Sequence, residues 1–545
     1  MSDRIKKLLI LFVKLLAITE CLAYGISNCF IVADTLPLEH GPIIAFIVLI
    51  VLALYQKKSN FQIKNKKAAI TQLTATILLA FFVIDLRSSL LWAAKTFPVT
   101  DANAVILTLE MPFDTFAYSM VRKYLASTIP YSLITAILLT VLLYTLLSSF
   151  KRRLLPITIY FMATVGMFIH DIPIMDYIYI LNGEAEKAST YSPFFEQNYI
   201  HPDSVKITPP DQKRNLILIY LESMENSFSE LGLTPEITEL AKENINFGKT
   251  GDHIGGGYDA IGSNHTFGAT ATRTMGVPLV TLYNTTPAYK RYKSLYKILD
   301  EQKYHQIFFQ GNFGLFEQFE DFFIEQSVKE IYGPDDLIER LNLNREEIIQ
   351  RHGMKTVQDK DAFIFAEQIL DTISEPFTLT FFTIDTHSPN GIYDPDCIKA
   401  SDESKEDEIL KATARCVSMH LGKFLDFVKT KPYYQNTSII ITGDHLFMGD
   451  RVVKNNPDRK WIDIFINAAK TPSKGEKRLF TDIDMNPTIL SAMGFSIEGD
   501  RLGLGTDLFS EKNTLFEDLG ADSLNKEIKK LAGHYSYEKY KYLKQ

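Results

Sequence analysis

Residues 438–450 read SIIITGDHLFMGD. A run of β-branched and apolar residues climbs to Gly443, and the chain then sets Asp444 beside His445. An unbroken apolar run of this length suits a strand covered on both faces, as in a parallel sheet, rather than the alternation of a half-exposed strand. Ending such a strand in an aspartate and a histidine desolvates two polar groups, which is unfavourable unless something pairs with them. Three other runs share the pattern: NLILIYLES (215–223), HQIFFQGN (305–312) and FTLTFFTIDTH (377–387). Amphipathic stretches such as LKATARCVSMHLGKFLDFVKT (410–430) lie between them. That order predicts an α/β/α sandwich built on a mostly parallel sheet.

The ends of these runs carry the chemistry. The first stops at Glu222, the third at Asp385 and His387, and the last at Asp444 and His445. Open parallel sheets bind ligands beyond the carboxyl ends of their strands, so three strands are expected to deliver these groups to one edge. A divalent cation held by Glu222, Asp444 and His445 accounts for a buried strand ending in Asp-His. The mixed oxygen and nitrogen donors suit Mn²⁺, Zn²⁺ or Mg²⁺. Asp385 is read as a structural group. Between the first two runs lies GGGYDAIGSNHTFGATATRTMGVPL (255–279). A hydroxyl there, at a helix N-terminus beside a cation, is a candidate nucleophile toward phosphorus. TDIDMNPTIL (481–490) reads as a capped helix start with no catalytic part.

The chain has 545 residues and a formal charge of −8, and no basic face of the kind a nucleic-acid partner would need. Residues 1–172 are mostly apolar, and five candidate membrane spans stand out at about 8–31, 42–55, 69–94, 130–150 and 154–170. Arg4, Lys6 and Lys7 precede the first span. Lys57, Lys58, Lys64, Lys66 and Lys67 follow the second, and Lys151, Arg152 and Arg153 follow the fourth. All three basic clusters fall on one side of the membrane, so the N-terminus is expected in the cytoplasm and everything after about residue 172 outside it. The first span lacks a cleavage site and reads as a stay-in anchor. The stretch MPFDTFAYSMVRKYL (111–125) reads either as an interfacial helix or as an ordinary loop. Residues 173–214, with three prolines in IHPDSVKITPPDQKR (200–214), read as a linker into an extracytoplasmic domain over 215–545.

Of the four cysteines, Cys21 and Cys29 lie in the apolar first span. Cys397 and Cys416 flank a polar, charged insertion. They read as a disulfide or as two free thiols, and the outward orientation favours the disulfide.

LILIYLES, the Gly/Thr-rich loop ending MGVPL, TIDTHSPNG, ITGDH and DIDMNPTIL occur in that order. Together they resemble the membrane-anchored transferases of the alkaline phosphatase and sulfatase superfamily: the lipoteichoic acid synthases, phosphoethanolamine transferases and phosphoglycerol transferases. TIDTHSPNG and the cysteine-flanked insertion point to the phosphoglycerol transferase branch of Gram-negative bacteria. The resemblance implies a five-helix transmembrane domain followed by an alkaline phosphatase/sulfatase-like α/β/α catalytic domain. It implies one divalent metal, Mn²⁺ foremost with Zn²⁺ or Mg²⁺ as alternatives, ligated by Glu222, Thr266, Asp444 and His445. It makes Thr266 the nucleophile, by its ten-residue spacing to Gly276, with Ser263 and Thr270 as fallbacks. His387 becomes a substrate-binding or proton-transferring residue. His265 would bind a phosphate or simply pack.

The implied reaction moves glycerol phosphate from phosphatidylglycerol to a glycan acceptor in the envelope: periplasmic glucan, lipopolysaccharide or capsule. The enzyme would be a multi-pass protein of the bacterial inner membrane with its catalytic domain in the periplasm. The alternatives are phosphoethanolamine transfer to lipid A or glycan, and glycerophosphate polymerisation. GNFGLFEQFEDFF (311–323) departs from the synthases, which carry a Trp and an Arg after the second strand. The Cys/Ser-x-Pro-x-Arg context of sulfate-ester hydrolysis is absent.

Overall fold

In a computed structural model, residues 192–531 are described apart from 252, 280–291, 314–315, 347, 349–355, 389–390, 393, 395–396, 398–405, 449–451 and 454–457. Scattered helical positions between 74 and 137 are described as well. The chain divides into two units, Met1–Phe97 with Ser119–Ile180 and Pro98–Tyr118 with Leu181–Gln545. No helix among the described residues is long and apolar enough to cross a membrane. The expected spans at 8–31, 42–55 and 154–170 lie outside the described residues, as does 111–124 of the amphipathic stretch. Those at 69–94 and 130–150 contribute only isolated positions, all helical, such as Thr74, Leu78, Asp85, Leu133 and Ala136.

The second unit is organised by six strands: β1 (Asn215–Leu221), β2 (His305–Phe309), β3 (Glu330–Tyr332), β4 (Phe377–Phe382), β5 (Thr437–Gly443) and β6 (Asp463–Ile466). Their order is β3-β2-β4-β1-β5-β6. Neighbours run parallel except β5 and β6, which pair antiparallel. Six helices matter below: α1 (Pro235–Glu243), α2 (Thr266–Met275), α3 (Phe316–Glu325), α4 (Asp359–Leu370), α5 (Glu406–Lys429) and α6 (Met485–Ala492).

Every residue of β1 is buried, and the strand feeds two cores by turns. Leu216, Leu218 and Tyr220 pack with Phe267 and Met275 of α2, Phe319 of α3 and Ile489 of α6. Ile217, Ile219 and Leu221 pack with Ile237 of α1, Phe363 of α4 and Phe424 of α5. The unbroken apolar sequence of the strand follows from this: both pleat faces look into a helix layer. Burying one such Leu or Ile stabilises the fold by about 1.5–3 kcal/mol.

The last part of the expected linker is built into this domain. A helix, Phe194–Asn198, buries Phe195, Ile200 bridges to Gly503, and Ile207–Thr208 pairs antiparallel with Ser496–Ile497. Pro202 opens a short 3-10 helix, Pro202–Ser204, and Pro209 and Pro210 follow the strand Ile207–Thr208, so the prolines there bound short elements rather than keep the chain extended.

Register sets the site. Tyr220 stands opposite Phe382 on one side, and Leu221 stands opposite Gly443 on the other. The residues that follow β1, β4 and β5 therefore emerge side by side. Gly443 is required at this point, because a Cβ there would collide with the carbonyl of Met224. Gly443→Ala is expected to lose at least ~2 kcal/mol of stability by overpacking against rigid backbone. Thermal denaturation checks this, and an unchanged Tm contradicts it.

Candidate metal and phosphoryl site

Glu222, Asp444 and His445 are buried and meet beyond the strand ends. Each offers a ligand atom within 4.8 Å of the other two. His445 Nε2 lies 3.6 Å from Glu222 Oε1 and 3.4 Å from Asp444 Oδ2. The other ring nitrogen, Nδ1, is 2.8 Å from the Leu446 carbonyl, which accepts only from an N–H. That hydrogen bond places the proton on Nδ1 and aims the Nε2 lone pair at the two carboxylates.

The carboxylates are held by the turn after β1. Ser223 donates through its amide to Asp444 Oδ1 at 2.6 Å and through its hydroxyl to Glu222 Oε1 at 2.6 Å. Its φ of +51° lies in the left-handed region, costly for a residue with a Cβ. The hydroxyl bond to Glu222 explains why a serine stands where glycine would be easier. The Glu222 amide donates to Thr383 Oγ1 at 2.9 Å, which ties β4 to the same turn.

Burial, and then the neighbouring Asp444, push the Glu222 carboxyl up to about 8 from its ordinary 4.5. Burial alone would lower His445, but Asp444 and Glu222 raise it above its ordinary value. Asp444 Oδ2 is buried with no hydrogen-bond partner. Two carboxylates crowding one imidazole lone pair, with a buried oxygen left over, fit a divalent cation well: the cation would replace the proton that Glu222 otherwise retains.

Thr266 opens α2, and His265 caps it, with Nδ1 accepting the Gly268 amide at 3.1 Å. That bond puts the His265 proton on Nε2, which is enclosed and has no hydrogen-bond partner. Burial, then the nearby His445, lower its pKa to about 3, so the ring is a neutral donor. A Cβ on Gly268 would run into this ring and the Gly262 carbonyl, so only glycine fits there. The packing role weighed for His265 is thus a capping role.

The fallback hydroxyls are committed elsewhere: Ser263 donates to Thr272 Oγ1, and Thr270 donates to the Thr266 carbonyl. At the far end of the helix Gly276 adopts φ +68° as the left-handed cap. His387 follows β4, with Nδ1 2.7 Å from the Ser388 carbonyl, leaving Nε2 as an acceptor. Burial lowers its pKa, and His445 lowers it further. Asp385 is buried and accepts from the Asp359 amide at 3.1 Å.

Two groups escaped the sequence reading. Arg273 of α2 is fully buried. It pairs with Asp482 at 2.7 Å, donates to Thr442 Oγ1 at 2.9 Å and to the Gly443 carbonyl, and stacks 3.8 Å from the Trp461 ring centre. It therefore ties the helix that begins at Thr266 to the strand end that carries Asp444. A lone arginine in ATATRTM was the only local sign, because its partner Asp482 lies 209 residues away. Asp482, assigned no role beyond a helix start, is that partner, while the Thr481–Asp484 capping box forms beside it. Asp259, in the Gly-rich loop, accepts from the Leu446 amide. Burial, then Asp482, raise its pKa well above the ordinary value.

Cys397 and Cys416 are joined by a disulfide with Cα atoms 5.8 Å apart.

Several buried acids share one consequence. Glu222 and Asp463 are both raised to about 8, and Asp359 and Asp484 to about 7. The folded protein keeps protons that the unfolded chain has released, so metal-free stability should fall as pH rises from about 5 to about 8. A saturating divalent cation should narrow that fall by displacing the Glu222 proton. Tm measured with and without Mn²⁺ at both ends of the window checks this. A metal-free Tm that rises with pH contradicts it. Arg273→Met should cost ~3–5 kcal/mol by stranding Asp482 in the core.

A family model described as Sulfatase matches residues 214–495, more than half of the chain. Phosphoglycerol transferase I from Escherichia coli (strain 55989 / EAEC) is 26% identical over 340 residues, covering 58% of this chain and 41% of that relative. The chain thus spans about two fifths of the length of the curated relatives it matches. The lipoteichoic acid synthase LtaP from Listeria monocytogenes is 17% identical with a TM-score of 0.45, covering 61% of this chain and 95% of that one. The lipooligosaccharide phosphoethanolamine transferase A from Neisseria meningitidis is 12% identical with a TM-score of 0.47, covering 89% and 95%. The chain belongs to the sulfatase family of the alkaline phosphatase superfamily.

Proposed function

We propose that the protein is a phosphotransferase that moves a glycerophosphoryl group from phosphatidylglycerol to a glycan of the bacterial envelope. One observation carries the reading: Glu222, Asp444 and His445 are buried together beyond the strand ends, each with a ligand atom within 4.8 Å of the other two, an arrangement suited to holding a cation against a phosphoryl group. The relative named phosphoglycerol transferase I supports the choice of donor.

Thr266, at the first position of α2, sits where the helix dipole favours a phosphoryl group. Its Oγ1 gives up its proton and forms a bond to phosphorus, the bond from phosphorus to the diacylglycerol oxygen breaks, and that oxygen takes up the proton. A hydroxyl of the acceptor then attacks phosphorus, and Thr266 Oγ1 leaves and regains the proton that this hydroxyl gives up. His387 Nε2, held neutral by burial, accepts the proton of the attacking hydroxyl. The enclosed Nε2–H of His265 donates to a phosphoryl oxygen. Glu222, Asp444 and His445, with Thr266 as a fourth ligand, would hold a divalent cation, which would supply Lewis-acid stabilisation of charge on the phosphoryl oxygens. Manganese is the ion proposed.

The domain over 215–545 works outside the cytoplasmic membrane, held by the apolar spans of 1–172 where the lipid donor is within reach. The expected acceptor is a periplasmic glucan, lipopolysaccharide or capsule.

Intact-protein mass spectrometry after incubation with Mn²⁺ and phosphatidylglycerol tests this directly. The expected result is a gain of one glycerophosphoryl group, absent in Thr266→Ala, with transfer to acceptor reduced by on the order of a thousandfold or more. An adduct formed only from phosphatidylethanolamine supports phosphoethanolamine transfer instead. Absence of any adduct at full metal loading overturns the transferase reading.

A further inference from the structure

A second cluster of metal-type donors lies beyond β4, apart from the Glu222 site. Asp394 and Cys397 come from the loop after His387, and Cys416 and His420 come from one face of α5 at i and i+4. Their ligand atoms all lie within 4.8 Å of one another. Cys416 Sγ is 3.4 Å from His420 Nε2 and 3.6 Å from Asp394 Oδ2, and those last two are 3.8 Å apart. Lys360 approaches the opposite oxygen, Asp394 Oδ1, at 3.6 Å, so Oδ2 faces the sulfur and the imidazole. Asp394 is fully buried and Cys416 nearly so.

The two spacings from sulfur match a tetrahedral ion, and the imidazole and carboxylate, 3.8 Å apart, stand about 0.5 Å wider than one would set them. Bonds of about 2.3 Å to sulfur and about 2.0 Å to nitrogen or oxygen set sulfur about 3.5 Å from either atom across the tetrahedral angle. Only the two sulfurs are nearer than such an ion allows, because they are bonded to each other. Soft thiolates with one imidazole and one carboxylate favour zinc over manganese or magnesium.

We propose that reduction of the Cys397–Cys416 disulfide converts this cluster into a zinc site with Asp394, Cys397, Cys416 and His420 as its four ligands. The disulfide takes two electrons from a dithiol, which itself becomes a disulfide, and two protons end on the sulfurs. Zinc then binds both thiolates and releases those two protons to solvent. Disulfide and zinc are alternative cross-links of the same two elements. Both pin the His387 loop to α5. Within that loop the Ile392 amide bonds the Asp385 carbonyl at 2.6 Å, and Thr413 of α5 donates to the Ile392 carbonyl at 3.2 Å.

Cobalt(II) titration of the full chain tests the site, because only sulfur ligation yields a thiolate-to-cobalt charge-transfer band and the Glu222 cluster contains no sulfur. Phosphine-reduced protein is expected to develop that band, saturating at one equivalent and erased by zinc. The oxidised protein should show none. His420→Gln and Asp394→Asn should lose the band at cobalt concentrations that saturate the wild type. Their oxidised forms, with the disulfide intact, report by circular dichroism that the domain is folded. Absence of the band in reduced wild type overturns the proposal. So does a band of unchanged strength in both single variants. A band that survives in the Cys397→Ser/Cys416→Ser double variant comes from Cys21 and Cys29, and it overturns the assignment too.

Discussion

Two carboxylates share one dry corner of the sheet, and the rest of the site is arranged around that fact. Glu222 and Asp444 follow adjacent parallel strands, and register leaves them no room to separate. Without a cation the Glu222 carboxyl is pushed up to about 8, so the pair retains a proton through neutral pH. With one, the same crowding becomes affinity, because the desolvation and repulsion that disfavour the charged pair are relieved by a positive charge between them. Ser223 accepts a left-handed backbone to keep both carboxylates in place, and the Leu446 carbonyl sets the His445 tautomer that completes the set.

Arg273 extends this constraint to the proposed nucleophile. A guanidinium buried in the core is tolerable only with its hydrogen bonds met and an opposite charge beside it. Asp482, Thr442, the Gly443 carbonyl and the face of Trp461 provide that environment. The helix that begins at Thr266 is thereby locked to the end of β5, where Thr442 and Gly443 lead straight into Asp444. Placing Thr266 relative to Asp444 is a property of this buried ion pair as much as of the sheet.

The parts legible in the sequence are those set by local pattern. Apolar runs without alternation announced a doubly covered parallel sheet, and the polar residues just past them announced a shared edge. Those ends, read with the family resemblance, singled out Glu222, Asp444 and His445, which lie together in the structure. The less legible parts depend on contacts between distant segments. The pairing of Arg273 with Asp482 and the Leu446–Asp259 hydrogen bond leave almost no local trace. His265 was read as a phosphate binder or a packing residue, and its capping role left no trace, since a histidine cap with a glycine three residues on is not a common helix signal. Prolines in 200–214 suggested a linker, whereas burial of Phe195 and pairing with residues 496–497 build that segment into the domain. The antiparallel edge strand β6 was missed because four residues are too few to show a period.

Binding of manganese to the metal-free protein, followed by loss of the free-ion paramagnetic resonance signal, tests the central claim that these strand ends form one cation site. The account predicts one tight equivalent in the wild type and affinity at least ~10-fold weaker in each of Glu222→Gln, Asp444→Asn and His445→Gln. Tight binding of one equivalent that is unchanged in all three variants would contradict it.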